Sequence, residues 1–509
     1  MEESENKEIE KRKSKISEKL SLFFKEKENK ILVLILIFAL ALRIFFLITT
    51  KNQPLWWDES EYLSTAKYWI LNIPYSISEQ RQPFYPLVLS VFYLLKITNL
   101  EILKFLTVIL PSIGTVLVSY LLIKEMFDKT SGLIVASFMS FLWVLLFWTN
   151  RFSTDILGFL FGLLAFYLFW TGYVKSKSRK KILLMGLFLT LGILTRIGNL
   201  IFVLVILVYL IIIEREKFLK NKYIWLSAVL GFVVLIPYLI WNKIVYNNPF
   251  IFFGGYFGAG RTALKLAKPI AWNVFNFIYL YLDWFLLILF LIGLGLLLFN
   301  LFLGLDILIK KREDSLKPSF FLFLMIIIPL IFFIFIERNV EDRWLLIMAP
   351  AMFYAVALAI LKLKNLITKN NKQLSVILII IFIVIGFYFQ FTTAKDTIDF
   401  KKDSYAQLRD AGLWIKANTN KNDAIFSSSV PENTFYSERI TYGYGSDEKK
   451  FEEDIIKIKP KYMVLSVFDK SPEWAYSWPD NNKDKVNPVQ AYYLDAEKKQ
   501  VAVAIYEFI

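Results

Sequence analysis

Long apolar runs are the feature that most constrains the fold of this chain, because an α-helix needs about 20 apolar residues to cross a bilayer. Such runs lie near 31–49, 101–123, 132–149, 156–173, 182–213, 223–243, 273–305, 319–336, 344–363 and 374–391. The run at 182–213 is interrupted by Arg196, and an isolated arginine in lipid costs at least about 2.5 kcal/mol. This run therefore predicts two short helices, which brings the expected number of spans to about eleven.

The overall composition agrees with an all-α polytopic membrane protein. Of 509 residues, 56% are hydrophobic, and the mean hydropathy of +0.50 is higher than that of ordinary soluble proteins. The chain contains no cysteine and no histidine, which excludes disulfides, Cys/His zinc sites, thiol nucleophiles and imidazole bases. Acid–base or metal chemistry must therefore use carboxylates, Lys, Arg or Tyr.

The net charge of +15 could indicate nucleic-acid binding, but the positions of the charges indicate membrane topology instead. If the N-terminal tail is cytoplasmic, the loops on its side are rich in Lys and Arg, as the positive-inside rule requires. These loops are 124–129, 175–181, 214–222, 306–317 and 362–372. The sequence thus predicts a multi-pass cell-membrane protein that does not bind nucleic acid. Residues 83–97 are apolar but short, and we interpret them as an interfacial or re-entrant helix in the first outer loop.

Three regions follow from this reading: a charged cytoplasmic tail at 1–30, a multi-span domain at 31–391 and an extracytoplasmic domain at 392–509. The last region is more polar. Helical spacing at 403–417 and the strand-like segments AIFSS, YMVLSV and VAVAIYEF predict a compact α/β domain there.

The strongest candidate for chemistry is the segment from Trp56 to Tyr62, which follows the first span. Its tryptophans favour the membrane interface and would place Asp58 and Glu59 at the outer surface, at the start of a helix lying in that interface. A structural alternative remains open, in which Asp58 is the N-cap of this helix and Glu61 completes a capping box.

Further charged residues are predicted at the same surface. Asp155 precedes a membrane helix, where it could be only an N-cap. Arginines at 81, 151, 196, 338 and 343 could bind phosphate through the planar guanidinium fork. For Arg338 and Arg343 the alternative is snorkelling or a salt bridge to Glu341 or Asp342. Together these residues could bind an anionic substrate beside a general base.

The order of these motifs resembles the GT-C superfamily of polyprenyl-phosphate-dependent glycosyltransferases, in particular its protein O-mannosyltransferase and aminoarabinose-transferase branch. The resemblance rests on Trp57-Asp58-Glu59, RQPFYPLVL at 81–89, Asp155, LTRIG at 194–198 and ERNVEDRWLLIMAP at 337–350. In the last element Trp344 replaces the usual tyrosine, and the histidine usual in the family is missing. AGLWIKANTNKNDAIFSS is similar to the opening of the outer domain in prokaryotic members.

The resemblance implies a GT-C fold and transfer of a sugar from a polyprenyl (dolichyl) phosphate to a hydroxyl group of a protein or a lipid-linked glycan. Asp58 would be the general base of an inverting reaction, within a catalytic group that includes Glu59 and Asp155. Glu59 and Asp155 would orient the acceptor or bind a divalent cation, Mg²⁺ or Mn²⁺. The lipid phosphate would be bound by Arg81, Arg196, Arg338 and Arg343. Membrane lipids are the remaining expected partners.

Other functions are compatible with the same sequence. A lipid-linked sugar flippase or a secondary transporter would also have many spans and charges near the membrane. An oligosaccharyltransferase is a closer alternative, because Trp56-Trp57-Asp58 is similar to the WWD motif of that family. A membrane receptor that binds a ligand through 392–509 is a third.

Overall fold

The computed structural model describes residues 18, 21, 24–73, 75, 81–253, 271–310, 315–337, 340–368 and 371–509. A helical bundle comes first and a small α/β domain follows. The helices of the bundle are α1 (Lys27–Thr49), α2 (Trp57–Leu71), α3 (Phe84–Leu94), α4 (Leu100–Met126), α5 (Lys129–Phe141), α6 (Trp143–Thr149), α7 (Thr154–Lys175), α8 (Arg179–Thr195), α9 (Ile197–Lys220), α10 (Lys222–Tyr246), α11 (Ala271–Lys310), α12 (Lys317–Glu337), α13 (Asp342–Thr368) and α14 (Lys372–Lys401).

The helices of the bundle confirm the predicted polytopic membrane architecture. In the described ranges, 9 helices are long and apolar enough to cross a membrane, and the bent pair α5–α6 raises the number to 10. With α8, which has only 17 residues, every predicted apolar run coincides with a helix or a helix pair. Helix α3 has 11 residues, too few to cross a bilayer, which supports an interfacial or re-entrant position.

A break between α5 and α6 is stabilised by polar side chains inside the bundle. The two helices meet at Leu142 with a bend of 49°, which frees backbone groups that lipid cannot satisfy. Gln390 accepts the Trp143 amide proton at 3.0 Å, and Arg43 donates to the Ser140 carbonyl at 2.7 Å. Arg43 also donates to Ser112 at 2.8 Å. The bend sets the direction of α6 and of the loop that follows it.

The C-terminal domain confirms the predicted α/β class. Its helices are α15 (Ala406–Ala417), α16 (Val430–Ser437), α17 (Glu448–Ile458) and α18 (Glu473–Asn481), and its strands are β1 (Ala424–Ser427), β2 (Ile440–Tyr442), β3 (Tyr462–Ser466), β4 (Val486–Tyr493) and β5 (Val501–Phe508). The sheet order is β2-β1-β3-β5-β4. Strand β1 is parallel to β2 and β3, whereas β5 is antiparallel to β3 and β4. The three predicted strands correspond to β1, β3 and β5.

The end of α14 lies beyond the boundary predicted at residue 391. This helix continues to Lys401, because the polar residues after 391 still favour a helix. Asp399 pairs with Lys395 at 3.1 Å and with Lys402 at 3.3 Å, and such spacings stabilise helices.

The C-terminal domain contacts the loop that leads into α2. The Leu55 amide donates to the Tyr436 hydroxyl at 2.8 Å, and Lys67 pairs with Glu438 at 3.2 Å. These contacts join α16 to α2. The domain therefore helps to position the first residues of α2.

Candidate active site

Asp58 lies in the first turn of α2, which begins two residues earlier than a cap at Asp58 would require. The N-cap residue is Trp56, and its amide donates to the Glu59 carboxylate at 2.9 Å. Glu59 thus satisfies the helix terminus, and the alternative of a capping box formed by Asp58 and Glu61 is not realised. The Asp58 carboxylate instead contacts Arg81 at 2.5 Å and Arg343 at 3.7 Å, and its side chain is 32% exposed.

Glu59 is buried and connects the first loop to the second. One carboxylate oxygen accepts the Phe152 amide proton at 2.7 Å, and the other pairs with Arg151 at 3.2 Å. Arg151 also donates to the carbonyls of Pro54 and Lys401. Both Glu59 oxygens are therefore engaged, and this geometry favours a structural role over the predicted catalytic or metal-binding one.

The buried Glu59–Arg151 pair leads to a stability prediction. Glu59→Ala leaves the Arg151 guanidinium buried without its counter-ion, which costs about 3–5 kcal/mol in comparable pairs. We expect a lower Tm of the detergent-solubilised protein, measured by thermal unfolding. Glu341→Ala is the control, because the Glu341 side chain is 41% exposed. Equal Tm values for the two variants would contradict the structural role of Glu59.

Asp155 contacts two arginines from different parts of the bundle. The N-cap of α7, the structural alternative for Asp155, is Ser153, whose hydroxyl accepts the Asp155 amide proton at 3.1 Å. The Asp155 carboxylate pairs with Arg196 at 2.6 Å and with Arg343 at 3.4 Å. Asp155 therefore positions two cations side by side.

The arginines of the site occupy helix breaks and helix starts. Arg196 lies in the extended link between α8 and α9, whereas Arg343 lies in the first turn of α13. Trp148 supports Arg343 in two ways: its ring lies 4.4 Å from the guanidinium carbon, and its indole N–H donates to Asp342 at 3.1 Å. Trp344, the replacement for the usual tyrosine, lies 5.8 Å from Arg196.

Arg81 completes the cluster from the segment before α3. Its guanidinium contacts Asp58 and Glu61, in each case at 2.5 Å. Glu61, which the sequence offers only as part of a capping box, is buried in an ion pair with Arg81. Three of the four predicted phosphate-binding arginines thus lie in one connected network. The fourth, Arg338, falls outside the described residues.

The charge state of Asp58 follows from these contacts. Burial alone raises the pKa of Asp58, but the positive charges of Arg81 and Arg343 outweigh this effect and hold the pKa below its ordinary value of 3.8. Asp58 is therefore ionised at neutral pH.

Two cavities meet at Arg343. The first has a volume of about 380 Å³. Its walls are mainly apolar side chains of α9 and α12, and its charged lining residues include Asp155, Arg196 and Arg343. The second has a volume of about 280 Å³ and is lined by aromatic and charged residues: Trp56, Trp57, Asp58, Tyr62, Trp148, Glu341, Arg343 and Tyr405 are among them. Trp148 and Tyr405 have no local sequence signal that marks them, because only folding brings them to the site.

The predicted metal ligands do not fit a metal site. Both oxygens of Glu59 bind protein donors, and both oxygens of Asp155 contact arginine side chains. In the part of the chain that the structure describes, no group of three or more Asp or Glu side chains is arranged to hold a metal ion.

Comparison with known proteins gives one family match and several similar structures. Residues 80–241 match the sequence profile of the family described as dolichyl-phosphate-mannose-protein mannosyltransferase. A search of curated protein sequences finds no match. ArnT from Cupriavidus metallidurans bound to undecaprenyl phosphate has a TM-score of 0.60 at 14% identity, over 93% of this chain and 97% of that chain.

A second similar structure is the oligosaccharyltransferase AglB from Archaeoglobus fulgidus in complex with an inhibitory peptide and a dolichol-phosphate. Its TM-score is 0.61 at 14% identity, over 96% of this chain and 74% of that chain. Both structures have the GT-C fold, so the fold and the resemblance predicted from the sequence are confirmed.

Proposed function

We propose that this chain, a membrane glycosyltransferase of the GT-C type, transfers a sugar from a polyprenyl phosphate to a hydroxyl group of a protein or a lipid-linked glycan. The reaction takes place at the outer membrane surface, with the N-terminus cytoplasmic and the C-terminal domain outside. The observation that carries the proposal is the pair of cavities that meet at Arg343. One suits a lipid, whereas the other leads from an aromatic surface to an ionised carboxylate.

The first cavity would hold the donor. Arg196 and Arg343 provide guanidinium groups beside an apolar channel, and such groups bind phosphate oxygens bidentately. Asp155 keeps the two arginines together but is itself buried. The family description names a dolichyl phosphate donor, and the two similar structures contain polyprenyl phosphates, which supports the same kind of donor here.

The second cavity would hold the acceptor, with Asp58 as the general base. As the acceptor oxygen forms its bond to the anomeric carbon, the bond from that carbon to the phosphate oxygen breaks and its electron pair goes to the phosphate. Asp58 takes the acceptor's proton. Attack from the side opposite the phosphate inverts the anomeric carbon, and Arg196 and Arg343 stabilise the charge that develops on the leaving group.

The pH dependence of the reaction tests the link between Asp58 and Arg81. Only the ionised carboxylate accepts a proton, so activity falls as the pH drops through the pKa of Asp58, which lies below 3.8. Arg81→Gln removes a cation that lowers this pKa, while burial, which raises it, remains. We expect the acidic limb of the pH profile of kcat/KM to move to higher pH.

The readout of this prediction is the position of the limb and not its height, because Arg81 also belongs to the predicted phosphate-binding group. Arg409→Gln, at an arginine of the C-terminal domain that is 31% exposed, is the control and leaves the limb in place. An unchanged limb in Arg81→Gln would contradict the role of Asp58.

The direct test of the function uses purified protein, a panel of polyprenyl-phosphate sugars and a membrane extract, with products identified by mass spectrometry. The proposal predicts an acceptor that is heavier by one sugar residue. Transfer of a whole oligosaccharide would indicate the oligosaccharyltransferase alternative. A transporter would move labelled lipid-linked sugar across vesicles without forming a new glycosidic bond.

A further inference from the structure

Glu432 differs from the other buried acidic residues of the described chain. Glu59, Glu61 and Asp155 are each paired with an arginine. Glu432 is 1% exposed and forms no ion pair with any described Lys or Arg, and its Oε2 has no hydrogen-bond partner. A buried carboxylate without a cation costs several kcal/mol. The position therefore requires either a bound cation or a proton.

A second carboxylate reaches the same place from a neighbouring strand. Asp469 follows β3 and accepts a hydrogen bond from the Ser429 hydroxyl at 2.5 Å. Ser429 is the N-cap of α16, and Glu432 is the third residue of that helix. Asp469 thus contacts the first residue before the helix whose first turn carries Glu432, and its negative charge acts on Glu432.

Ser429 and Asp469 follow the carboxyl ends of β1 and β3, a place where α/β domains often bind ligands. Strands β1 and β3 are parallel neighbours, so their carboxyl ends lie at the same edge. The chain leaves β1 toward β2 and then crosses to β3 on the other side. The crevice between β1 and β3 is therefore a topological switch point, and it is bordered by the loops that carry Ser429 and Asp469.

The electrostatic surroundings and the remaining oxygen atoms favour a cation. The charges that act most strongly on Glu432 are negative, those of Asp469, Glu61 and Asp58. The Asn433 side-chain amide donates to Ser427 and to the Ser429 carbonyl. Its Oδ1 is buried and without a hydrogen-bond partner, which leaves it free as a ligand.

We propose that Glu432 and Asp469 bind a hard divalent cation, with Asn433 Oδ1 as a neutral ligand. The cation that suits these ligands best is Ca²⁺. Ca²⁺ accepts carboxylate and amide oxygens in irregular arrangements, whereas Mg²⁺ demands a near-ideal octahedron. The cation would join the start of α16 to the loop after β3. It would stabilise the C-terminal domain and not take part in sugar transfer.

The test uses the full-length protein in detergent after treatment with EDTA. Calorimetric titration with CaCl₂ should show one bound ion, and saturating Ca²⁺ should raise the Tm by about 5 °C. Glu432→Gln and Asp469→Asn preserve side-chain shape and should each weaken Ca²⁺ binding at least tenfold. Glu473→Gln, at an exposed acid of the same domain, should bind Ca²⁺ as the wild type does.

Two results would overturn the proposal. One is a wild-type protein that takes up no Ca²⁺ and has the same Tm in Ca²⁺ and in EDTA, which would mean that protons neutralise the carboxyl groups. The other is undiminished binding in both variants. Because no donor or acceptor is added, these outcomes are independent of the sugar-transfer assay.

Discussion

Replacing Asp58 by Asn is expected to lower the rate of sugar transfer by about 10²- to 10⁴-fold, the range that a positioned general base contributes. Asn has nearly the same shape as Asp and still accepts a hydrogen bond from Arg81, but its amide does not take a proton. The measurement is kcat for transfer from a polyprenyl-phosphate sugar, with the product quantified by mass spectrometry.

The fold should survive this substitution, because the Asp58 side chain is 32% exposed and Glu59 holds the helix terminus. Tm should therefore remain close to that of the wild type, which separates a catalytic defect from an unfolded protein. Asp410→Asn, at a carboxylate that is 45% exposed, is the matched control. Full activity in a folded Asp58→Asn variant would refute the general-base assignment.

Replacing Arg343 by Lys is expected to reduce kcat/KM by about 10²- to 10³-fold, as the loss of one oriented donor to a developing anion does in other enzymes. Arg343 bridges Asp58, Asp155 and Glu341 with a planar fork that a lysine ammonium does not reproduce. The lysine keeps the charge, so the variant isolates geometry from electrostatics.

Two measurements locate the Arg343 defect. If the guanidinium binds the leaving phosphate, the variant should lose affinity for the polyprenyl monophosphate product, measured as weaker product inhibition, together with kcat. Arg409→Lys, in the C-terminal domain, serves as control and should retain both. If the variant keeps kcat/KM within twofold of the wild type, Arg343 does not stabilise the leaving phosphate.

The membrane part of the fold could be predicted because its signal is local. A run of about 20 apolar residues is sufficient to indicate a span, and a charged residue such as Arg196 marks a break wherever lipid would make it costly. The end of α14 was less predictable, since the apolar signal stops at 391 while the helix continues to Lys401.

The sequence indicates several side chains that the structure places in one cluster, but it does not indicate what each of them contacts. The order of motifs assigns Asp58, Arg81, Asp155, Arg196 and Arg343 to one membrane surface. Glu59 looked equivalent to its neighbour Asp58, because only contacts to residues about a hundred positions away distinguish a buried structural carboxylate from an accessible one. Tyr405 joins the site from the segment after α14, beside Trp56, a placement that no local pattern encodes.

The first cavity has an apolar wall along α9, a helix long and apolar enough to cross a membrane. Leu200, Leu204 and Leu207 line this wall and are 39%, 38% and 41% exposed. Under the proposed function, the tail of the polyprenyl carrier would lie along this wall within the bilayer, and only its head group would meet the acceptor. The energy for transfer would then come from the sugar–phosphate bond of the donor, with no nucleotide hydrolysed at this step.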